Sequence, residues 1–242
     1  MITQTSRIPT RWTVTSTARR LATTMLGSLI VTIAINLLTG SGFTSVVPGA
    51  ATSIVVAADP LAAPPAAAER PPSWKNLPGV DGKLHSLTDL AGAKAVVVVV
   101  TCNHCPIAIQ YYDRMKAYVK QQQGLGGGGR VALVAISVSD LETDQLPRMK
   151  EMAQRQEFNF PYLQDRSQRI ARDLQATVTP QCFVFNEQRK VVYRGAWDDN
   201  VNAARVTSRY VEEAVAAVLA GKPPVIAETK PRGCLIDYRK TN

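Results

Sequence analysis

The sequence predicts an α/β domain in which helices flank a central mixed sheet. Residues 95–100 are an unbroken apolar run rich in β-branched side chains, which is typical of a strand buried on both faces. Residues 131–138 are a second such run. Between the two runs, apolar residues recur at the spacing of a helix. Residues 181–185 and 190–194 follow as two strands joined by a turn. A strand–helix–strand unit followed by a hairpin places parallel and antiparallel pairing in one sheet.

Four segments show the apolar spacing of helices. The first follows Cys105 and has regularly spaced apolar residues from 108 to 119. Pro106 is tolerated at its start, because the N–H groups of the first helical turn have no hydrogen-bond partner. A second helix is predicted over about 144–158, and a short one after Asp165, its expected N-cap. The last covers about 203–220. These helices alternate with strands along the chain and therefore cover the sheet.

The first 58 residues have the layout of an export signal. Residues 1–20 are basic and contain no acid, and residues 21–38 are mostly apolar. The small residues 56–58 offer a cleavage site before Asp59, although it lies far from the apolar segment. An uncleaved N-terminal membrane anchor is therefore the alternative. A cleaved signal would leave the folded part free in the periplasm, and an anchor would hold it at the membrane facing the periplasm. Disulfide chemistry is expected in that compartment.

Composition sets the remaining boundaries. Residues 59–73 are rich in Ala and Pro and are predicted to form an extended spacer. The folded domain is predicted at 74–221 and begins with a small hairpin around an Asp-Gly turn at 80–84. Residues 222–242 form a basic tail that contains Cys234.

Charge and histidine content exclude two kinds of site. The 242 residues have a formal net charge of +9, but part of it lies in residues 1–58 and the other charges are scattered. Without a basic stripe or interleaved aromatic residues, a nucleic-acid partner is not predicted. The two histidines, His85 and His104, are too few for a site with three histidine ligands.

The glycine-rich residues 124–129 do not predict a nucleotide site. No Lys-Ser or Lys-Thr pair follows them, and the next predicted element is a strand. They are interpreted as a flexible connection.

Cys102 and Cys105 lie where the first buried strand gives way to a helix. A thiol reacts as its thiolate, and a helix N-terminus lowers the thiol pKa from about 8.5. Cys102 is the predicted nucleophile, and Cys105, about one turn further on, is the predicted resolving thiol. His104 either stabilises the thiolate or faces solvent. A structural half of a zinc site and two unrelated core cysteines are the alternatives, and the strand-to-helix context favours redox chemistry.

Several motifs together resemble the thioredoxin superfamily over roughly residues 74–220. The similarity is closest to the redoxin branch that includes alkyl hydroperoxide reductase/thiol-specific antioxidant proteins and membrane-tethered thiol reductases. It resembles in particular a peroxiredoxin-like subgroup with a Cys-Asn-His-Cys-Pro active site and a Gly-Cys near the C-terminus. The motifs are Asp81-Gly82-Lys83, His85-Ser86-Leu87, Cys102-Asn103-His104-Cys105-Pro106, Phe160-Pro161-Tyr162-Leu163-Gln164-Asp165, Thr179-Pro180, Tyr193-Arg194-Gly195, Asp198-Asp199 and Gly233-Cys234.

The resemblance implies a thioredoxin-like fold and an exported thiol–disulfide oxidoreductase. Cys102 would correspond to the nucleophile and Cys105 to the resolving cysteine. Pro180 would be the cis-proline whose loop lies against the dithiol, and the backbone of Thr179 would pair with an extended substrate. The implied partners are protein or small-molecule disulfides, or peroxides, together with a redox partner protein. No cofactor or metal is expected.

Departures from the peroxiredoxin pattern make thiol peroxidase activity the alternative function. Val99 and Ala95 stand where peroxiredoxins carry a threonine and a proline relative to the nucleophile. Thr101 replaces the aromatic residue that commonly precedes the first thioredoxin cysteine. The direction of the reaction stays open, because His104 favours oxidation whereas the resemblance favours reduction or peroxide removal.

The remaining cysteines and acids each have two interpretations. Cys182 lies two residues beyond Pro180, so it either points to the same side of the sheet as the proline or, as we predict, is a buried, inert thiol. Cys234 is either a third redox thiol on a tail that folds back over the active site or a partner of Cys182. Asp198 and Asp199 are interpreted as helix-capping or solvated acids rather than proton-relay groups.

Two hypotheses come from other classes of protein. Cys102, Cys105 and His104 are soft ligands that suit Cu(I), so a copper-handling protein is one alternative, with His85 as the only further histidine. The other is a tethered interaction domain in which the dithiol is a structural disulfide.

Overall fold

The computed structural model describes residues 72–124 and 129–240. The predicted export signal or anchor at 1–58, most of the predicted spacer and residues 125–128 of the glycine-rich segment lie outside the described residues. Within the described ranges, no helix is both long enough and apolar enough to cross a membrane. The domain boundaries stay predictions.

The described residues form short and long strands along the whole domain. In chain order they are Leu77–Pro78 (β1), Leu84–His85 (β2), Ala95–Thr101 (β3), Val131–Ser137 (β4), Tyr162–Gln164 (β5), Val178–Thr179 (β6), Gln181–Phe185 (β7), Val191–Gly195 (β8) and Cys234–Leu235 (β9).

Helices lie between and after these strands. The α-helices are Pro106–Ile109 (α1), Tyr112–Gly124 (α2), Leu146–Arg155 (α3), Arg169–Asp173 (α4) and Tyr210–Leu219 (α5). Short 3₁₀ turns cover Leu87–Leu90, Glu142–Asp144 and Ala203–Arg205.

The central sheet is mixed, as predicted. Its strand order is β5-β4-β3-β7-β8, with β3, β4 and β5 parallel and with β7 antiparallel to both β3 and β8. The predicted N-terminal hairpin is also present, because β1 and β2 pair antiparallel around Gly82. β5 is not predicted from the sequence, because its three residues are all buried and too few to show a period.

The sheet separates two apolar layers, and β3 contributes to both. Val97 and Val99 pack in the layer that contains the buried residues of α2, α3 and α5. Val96, Val98 and Val100 pack in the opposite layer, with buried residues of α4. Side chains of a strand alternate between the two faces, so both sets must be apolar. This explains the unbroken valine run that ends at the candidate site.

The first predicted helix is divided into α1 and α2. The break falls at Gln110 and Tyr111, where the Gln110 carbonyl accepts a hydrogen bond from the Arg114 side chain at 3.3 Å. The guanidinium of Arg114 also lies over the Tyr111 ring, 4.0 Å from its centroid. Apolar spacing continues through the break, so the sequence pattern does not reveal it.

Two predicted helix starts are wrong because side chains hold the preceding backbone. The last helix begins at Tyr210 rather than 203, since the Asn202 side chain accepts from the Ala204 N–H at 3.0 Å and the Asp199 side chain from the Thr207 N–H at 2.9 Å. The N-cap of α4 is Gln168, not Asp165. The Asp165 carboxylate nevertheless accepts from the Ile170 N–H at 2.8 Å.

Asp198 is not the solvated or helix-capping acid that the sequence predicts. Its side chain is only 2% exposed and forms an ion pair with Arg114. Arg114 also donates to the carbonyl oxygens of Asn200 at 2.9 Å and Val201 at 2.6 Å. Burial raises the pKa of the Asp198 carboxyl, and the hydrogen bond and charge of Arg114 oppose that rise. The pair therefore joins α2 to the segment that follows β8.

Replacing Asp198 with Ala is expected to lower the free energy of unfolding by about 3–5 kcal/mol, because the buried Arg114 charge loses its partner. Urea denaturation of the wild type and the variant measures the difference. The double variant Arg114→Leu/Asp198→Ala removes both charges and is expected to be more stable than Asp198→Ala alone. A single variant as stable as the wild type would contradict this role.

Candidate active site

The two cysteines lie between β3 and α1, as predicted. β3 ends at Thr101 and α1 begins at Pro106. Cys105 is the N-cap residue of α1, and Cys102 lies three residues before it. The helix N-terminus that is expected to lower the thiol pKa is therefore closer to Cys105 than to the predicted nucleophile Cys102.

Thr179 contacts both sulfur atoms. Cys102 Sγ lies 3.1 Å from the Thr179 hydroxyl oxygen, and Cys105 Sγ lies 2.9 Å from the Thr179 carbonyl oxygen. The Thr179–Pro180 peptide bond, whose isomer the sequence leaves open, is cis. The structure thus brings three predicted site residues, Cys102, Cys105 and Thr179, into contact, and Pro180 follows Thr179 in the chain.

His104 is held by a carboxylate that the sequence analysis missed. Its Nδ1 lies 2.6 Å from Oδ2 of Asp144, and its Nε2 lies 3.8 Å from Cys102 Sγ. The Asp144 side chain is fully buried, while 36% of the His104 side chain is exposed. The carboxylate therefore fixes one ring nitrogen and directs the other toward the Cys102 sulfur. The sequence leaves open whether His104 meets the thiol or faces solvent, and the structure has a partly exposed ring between the carboxylate and the Cys102 sulfur.

Further polar contacts hold the loop that carries the cysteines. The second oxygen of Asp144 accepts a hydrogen bond from the Asn103 N–H. The Asn103 side chain donates to the Thr143 carbonyl at 2.8 Å and accepts from the Tyr162 hydroxyl at 2.9 Å. Since Asp144 lies 41 residues from Asn103 along the chain, no local pattern could have identified it.

The two thiols titrate as a pair. The hydrogen bond between Cys102 and Cys105 lowers the pKa for loss of the first proton, and contacts of Cys105 with Cys234 and the Ala108 N–H act in the same direction. The same hydrogen bond, together with burial, raises the pKa for loss of the second proton. The Thr179 carbonyl can only accept, so Cys105 Sγ is the donor in their contact.

This arrangement predicts the pH dependence of the thiolate. Because the hydrogen bond between the two thiols lowers the pKa at which the first proton is lost, the reduced protein is expected to keep the ultraviolet absorbance of one thiolate at neutral pH and to lose it only well below the ordinary thiol value. Cys105→Ser removes that hydrogen bond and should move the transition toward the ordinary value, and Cys182→Ala should leave it in place. A transition near pH 8.5, the ordinary value for a thiol, would contradict the assignment.

Only one of the two sulfurs borders a cavity. Cys102 is 1% exposed and Cys105 is fully buried. Cys102, His104 and Thr179 line a cavity of about 170 Å³, which Leu141 and the C-terminal tail also border and which Cys105 does not reach. His104 and Leu141 are exposed, so the cavity meets the surface beside them. A small reactant therefore meets Cys102 first.

The C-terminal tail is ordered against the site and is not irregular throughout. Within it, β9 pairs antiparallel with β6, and this pairing places Cys234 directly opposite Thr179. All four cysteines are unpaired, so Cys234 is not bonded to Cys182. Cys182 is buried in β7, where burial raises its pKa, as expected of an inert thiol.

His85 does not join the site. It contacts Asp81 at 3.0 Å within the N-terminal hairpin. Among the described residues, the group whose atoms could hold a metal is Cys102, His104 and Asp144, with ligand atoms within 4.8 Å of one another.

Comparison with known proteins identifies the family. The AhpC/TSA family matches residues 69–194, which is more than half of the chain. The chain belongs to the AhpC/TSA family. The mixed five-stranded sheet with flanking helices is the thioredoxin-like fold that the sequence predicts. The narrower peroxiredoxin-like subgroup stays a prediction.

Two solved structures are similar to this AhpC/TSA chain. A hypothetical protein from Sinorhizobium meliloti 1021 is 29% identical, with a TM-score of 0.64, over 71% of this chain and 94% of its own. An uncharacterized conserved protein from Geobacillus kaustophilus is 31% identical, with a TM-score of 0.63, over 72% of this chain and 93% of its own. No curated protein matches the chain.

Proposed function

We propose that this protein is a thiol–disulfide oxidoreductase in which Cys102 is the nucleophile and Cys105 the resolving thiol. The observation that carries the proposal is the shared contact with Thr179, whose hydroxyl meets Cys102 Sγ at 3.1 Å and whose carbonyl meets Cys105 Sγ at 2.9 Å. The two sulfurs are thus held side by side at the edge of a cavity that only Cys102 borders.

The contacts of Thr179 select Cys102 as the thiolate. Cys105 Sγ donates to the Thr179 carbonyl, which only accepts, so Cys105 keeps its proton. The Cys102 thiolate receives a hydrogen bond from the Thr179 hydroxyl and faces His104 Nε2. The sulfur that borders the cavity is therefore the nucleophile.

The exchange itself needs no cofactor. The Cys102 thiolate attacks one sulfur of a disulfide, the substrate S–S bond breaks, and the other half leaves as a thiolate. Cys105 then attacks Cys102 Sγ, which releases the second half of the substrate and leaves a Cys102–Cys105 disulfide. The reverse sequence oxidises a dithiol. A reduction potential of the pair near about −270 mV would indicate a reductant and one near about −120 mV an oxidant.

Trapping the mixed disulfide tests the assignment. In the Cys105→Ser variant, oxidised glutathione is expected to leave glutathione bound to Cys102, detected by mass spectrometry of the intact protein and of the tryptic peptide 95–114. Cys102→Ser, the matched control, should not carry glutathione on that peptide at a comparable rate. An unmodified Cys102 in Cys105→Ser would overturn the proposal.

Peroxide removal is the alternative reaction of the same sulfur. Membership of the AhpC/TSA family supports it, whereas Val99 and Ala95 are fully buried and supply no hydroxyl to Cys102. Hydrogen peroxide and a small disulfide, offered in parallel to the reduced protein, distinguish the two reactions by the rate at which the Cys102–Cys105 bond forms.

Binding of Cu(I) is a second candidate function, favoured by the closeness of Cys102, His104 and Asp144. Thiolate and imidazole suit Cu(I), but the Asp144 carboxylate already bonds His104 Nδ1, so Cys105 is the better third ligand. Tight stoichiometric Cu(I) binding without disulfide turnover would support this function over the first.

We further propose that the domain is exported and meets its redox partner protein outside the cytoplasm. The basic and apolar residues 1–38 support this proposal. If the signal is cleaved, the mature chain is expected to begin at Asp59, whereas an anchored chain would keep residue 1 and sediment with membranes. Cytoplasmic recovery of the full chain would contradict both.

A further inference from the structure

We propose that Cys234 is a third redox thiol, which takes over the oxidised state of the dithiol by forming a disulfide with Cys105. The proposal rests on the proposed function, since it uses the Cys102–Cys105 disulfide as its oxidant. Four features carry it. The C-terminal segment is anchored on both sides of Cys234, the strand register places Cys234 opposite Thr179, and the backbone at Gly233 comes close to Thr179. The surroundings of Cys234 also change when the dithiol is oxidised.

The C-terminal segment 227–239, here called the strap, is anchored on both sides of Cys234. On one side, Arg194 of β8 donates its N–H to the Ala227 carbonyl at 3.0 Å and accepts from the Thr229 N–H at 3.1 Å. On the other, the Tyr238 hydroxyl donates to the Ala176 carbonyl at 2.7 Å. The Gln168 side chain adds a bond to the Asp237 carbonyl at 2.8 Å. Cys234 is thus held at a defined place.

The register between the anchors aims Cys234 at the dithiol. Cys234 and Thr179 are directly opposite in the antiparallel pair of β9 and β6. Side chains of directly opposed residues lie on the same face of a ladder. Because the Thr179 hydroxyl reaches Cys102 Sγ on that face, the Cys234 side chain lies on the dithiol side as well.

Gly233 allows the backbone of the strap to come close to the backbone of Thr179. A Cβ at this position would lie 2.1 Å from the Thr179 carbonyl oxygen, which is the atom that Cys105 Sγ contacts at 2.9 Å. Any side chain at 233 would therefore push the strap away from Thr179. The Gly233-Cys234 pair allows a thiol to stand against the same peptide group as Cys105.

The surroundings of Cys234 change when the dithiol is oxidised. In the reduced protein, a hydrogen bond with Cys105, burial and the Cys105 charge raise the pKa of Cys234 to about 11. In a Cys102–Cys105 disulfide, Cys105 carries no charge, so the first and last of these causes disappear. Cys234 therefore ionises more readily once its target bond exists.

The step is a balanced disulfide exchange. The Cys234 thiolate attacks Cys105 Sγ, the Cys102–Cys105 bond breaks, and the Cys105–Cys234 bond forms. Cys102 leaves as a thiolate and takes up the proton that Cys234 lost. The exchange restores a free thiol at the cavity and ties the strap covalently across Thr179.

Peptide mapping of the full chain tests the proposal. Cys102→Ser is oxidised to completion with excess glutathione disulfide, which reacts first with the partly exposed Cys234, and is then quenched with acid, alkylated and digested without reductant. Trypsin separates Cys105 on peptide 95–114, Cys182 on peptide 173–189 and Cys234 on peptide 233–239. Peptides 95–114 and 233–239 are expected to be joined in most oxidised molecules. Folding should speed this bond at least about tenfold over the denatured chain, where closure of the long loop is unfavourable.

A glycine variant separates this proposal from the proposed function. With Cys102 present, Gly233→Ala should still form the Cys102–Cys105 disulfide, and in the Cys102→Ser background it should lose at least about nine-tenths of the cross-link by displacing the strap. Gly92→Ala is the matched control, because a Cβ there meets no atom within 4 Å. Free Cys234 in Cys102→Ser, alongside a normal Cys102–Cys105 disulfide in the wild type, would overturn only the role of Cys234. A missing Cys102–Cys105 disulfide would overturn both proposals.

Discussion

Replacing Cys102 with Ser is expected to lower the rate of disulfide exchange by at least about a thousandfold, because a serine hydroxyl is not ionised at neutral pH and no equivalent sulfur borders the cavity. Cys105 stays in place but is fully buried, so it cannot substitute as the first nucleophile. Initial rates with a small disulfide measure the loss.

Two controls make the loss of exchange interpretable. Cys182→Ala removes a buried thiol outside the cavity and is expected to keep the wild-type rate. The circular dichroism spectrum and the urea midpoint of Cys102→Ser should match those of the wild type, since the substitution changes one buried atom. A folded Cys102→Ser variant with more than about a tenth of the wild-type rate would contradict Cys102 as the nucleophile.

Replacing Gly195 with Ala is expected to release the strap and expose Cys234. Gly195 has a φ of +147°, and a Cβ there would lie 2.2 Å from the Thr229 hydroxyl oxygen and 2.5 Å from its carbonyl oxygen. The Thr229 hydroxyl also bonds the Tyr193 hydroxyl at 2.6 Å and the Ala196 N–H at 3.0 Å. Cys234 should be alkylated at least about tenfold faster, because local opening no longer has to break these bonds.

Gly221→Ala is the matched control for backbone strain. Gly221 has a φ of +69°, but a Cβ there meets no atom within 4 Å. Both variants are expected to lose about 1–3 kcal/mol of stability through an unfavourable φ. Only Gly195→Ala should change the alkylation rate of Cys234. Equal rates in the two variants would show that Thr229 does not anchor the strap.

Under the proposed function, the strap also limits which substrates reach the dithiol. The resemblance implies that the Thr179 backbone pairs with an extended substrate, yet in this chain the residue opposite Thr179 is Cys234. A protein strand would have to displace β9 before it could pair there. A small disulfide or peroxide needs only the cavity of about 170 Å³ beside Cys102. Release of the strap by Gly195→Ala is therefore expected to favour protein disulfides over small ones.

The Asp144 carboxylate that bonds His104 could not be predicted from the motif that contains this histidine. The Cys-Asn-His-Cys-Pro stretch predicts a histidine near the thiols, and the structure places its Nε2 3.8 Å from Cys102 Sγ. The orientation of the ring, however, depends on Asp144, which is fully buried on the 3₁₀ turn after β4. Asp144 looks like any other acid in a polar segment of the sequence.

Local pattern by itself determined the valine strand, the strand-to-helix position of the two cysteines and the buried faces of the helices. These features follow from periods of two and 3.6 residues, which each segment carries alone. The tertiary structure decided which sulfur borders the cavity, which carboxylate holds His104, that Asp198 pairs with Arg114 and that Cys234 lies opposite Thr179. Those contacts join residues far apart in the chain, and burial sets their strength, so no local pattern encodes them.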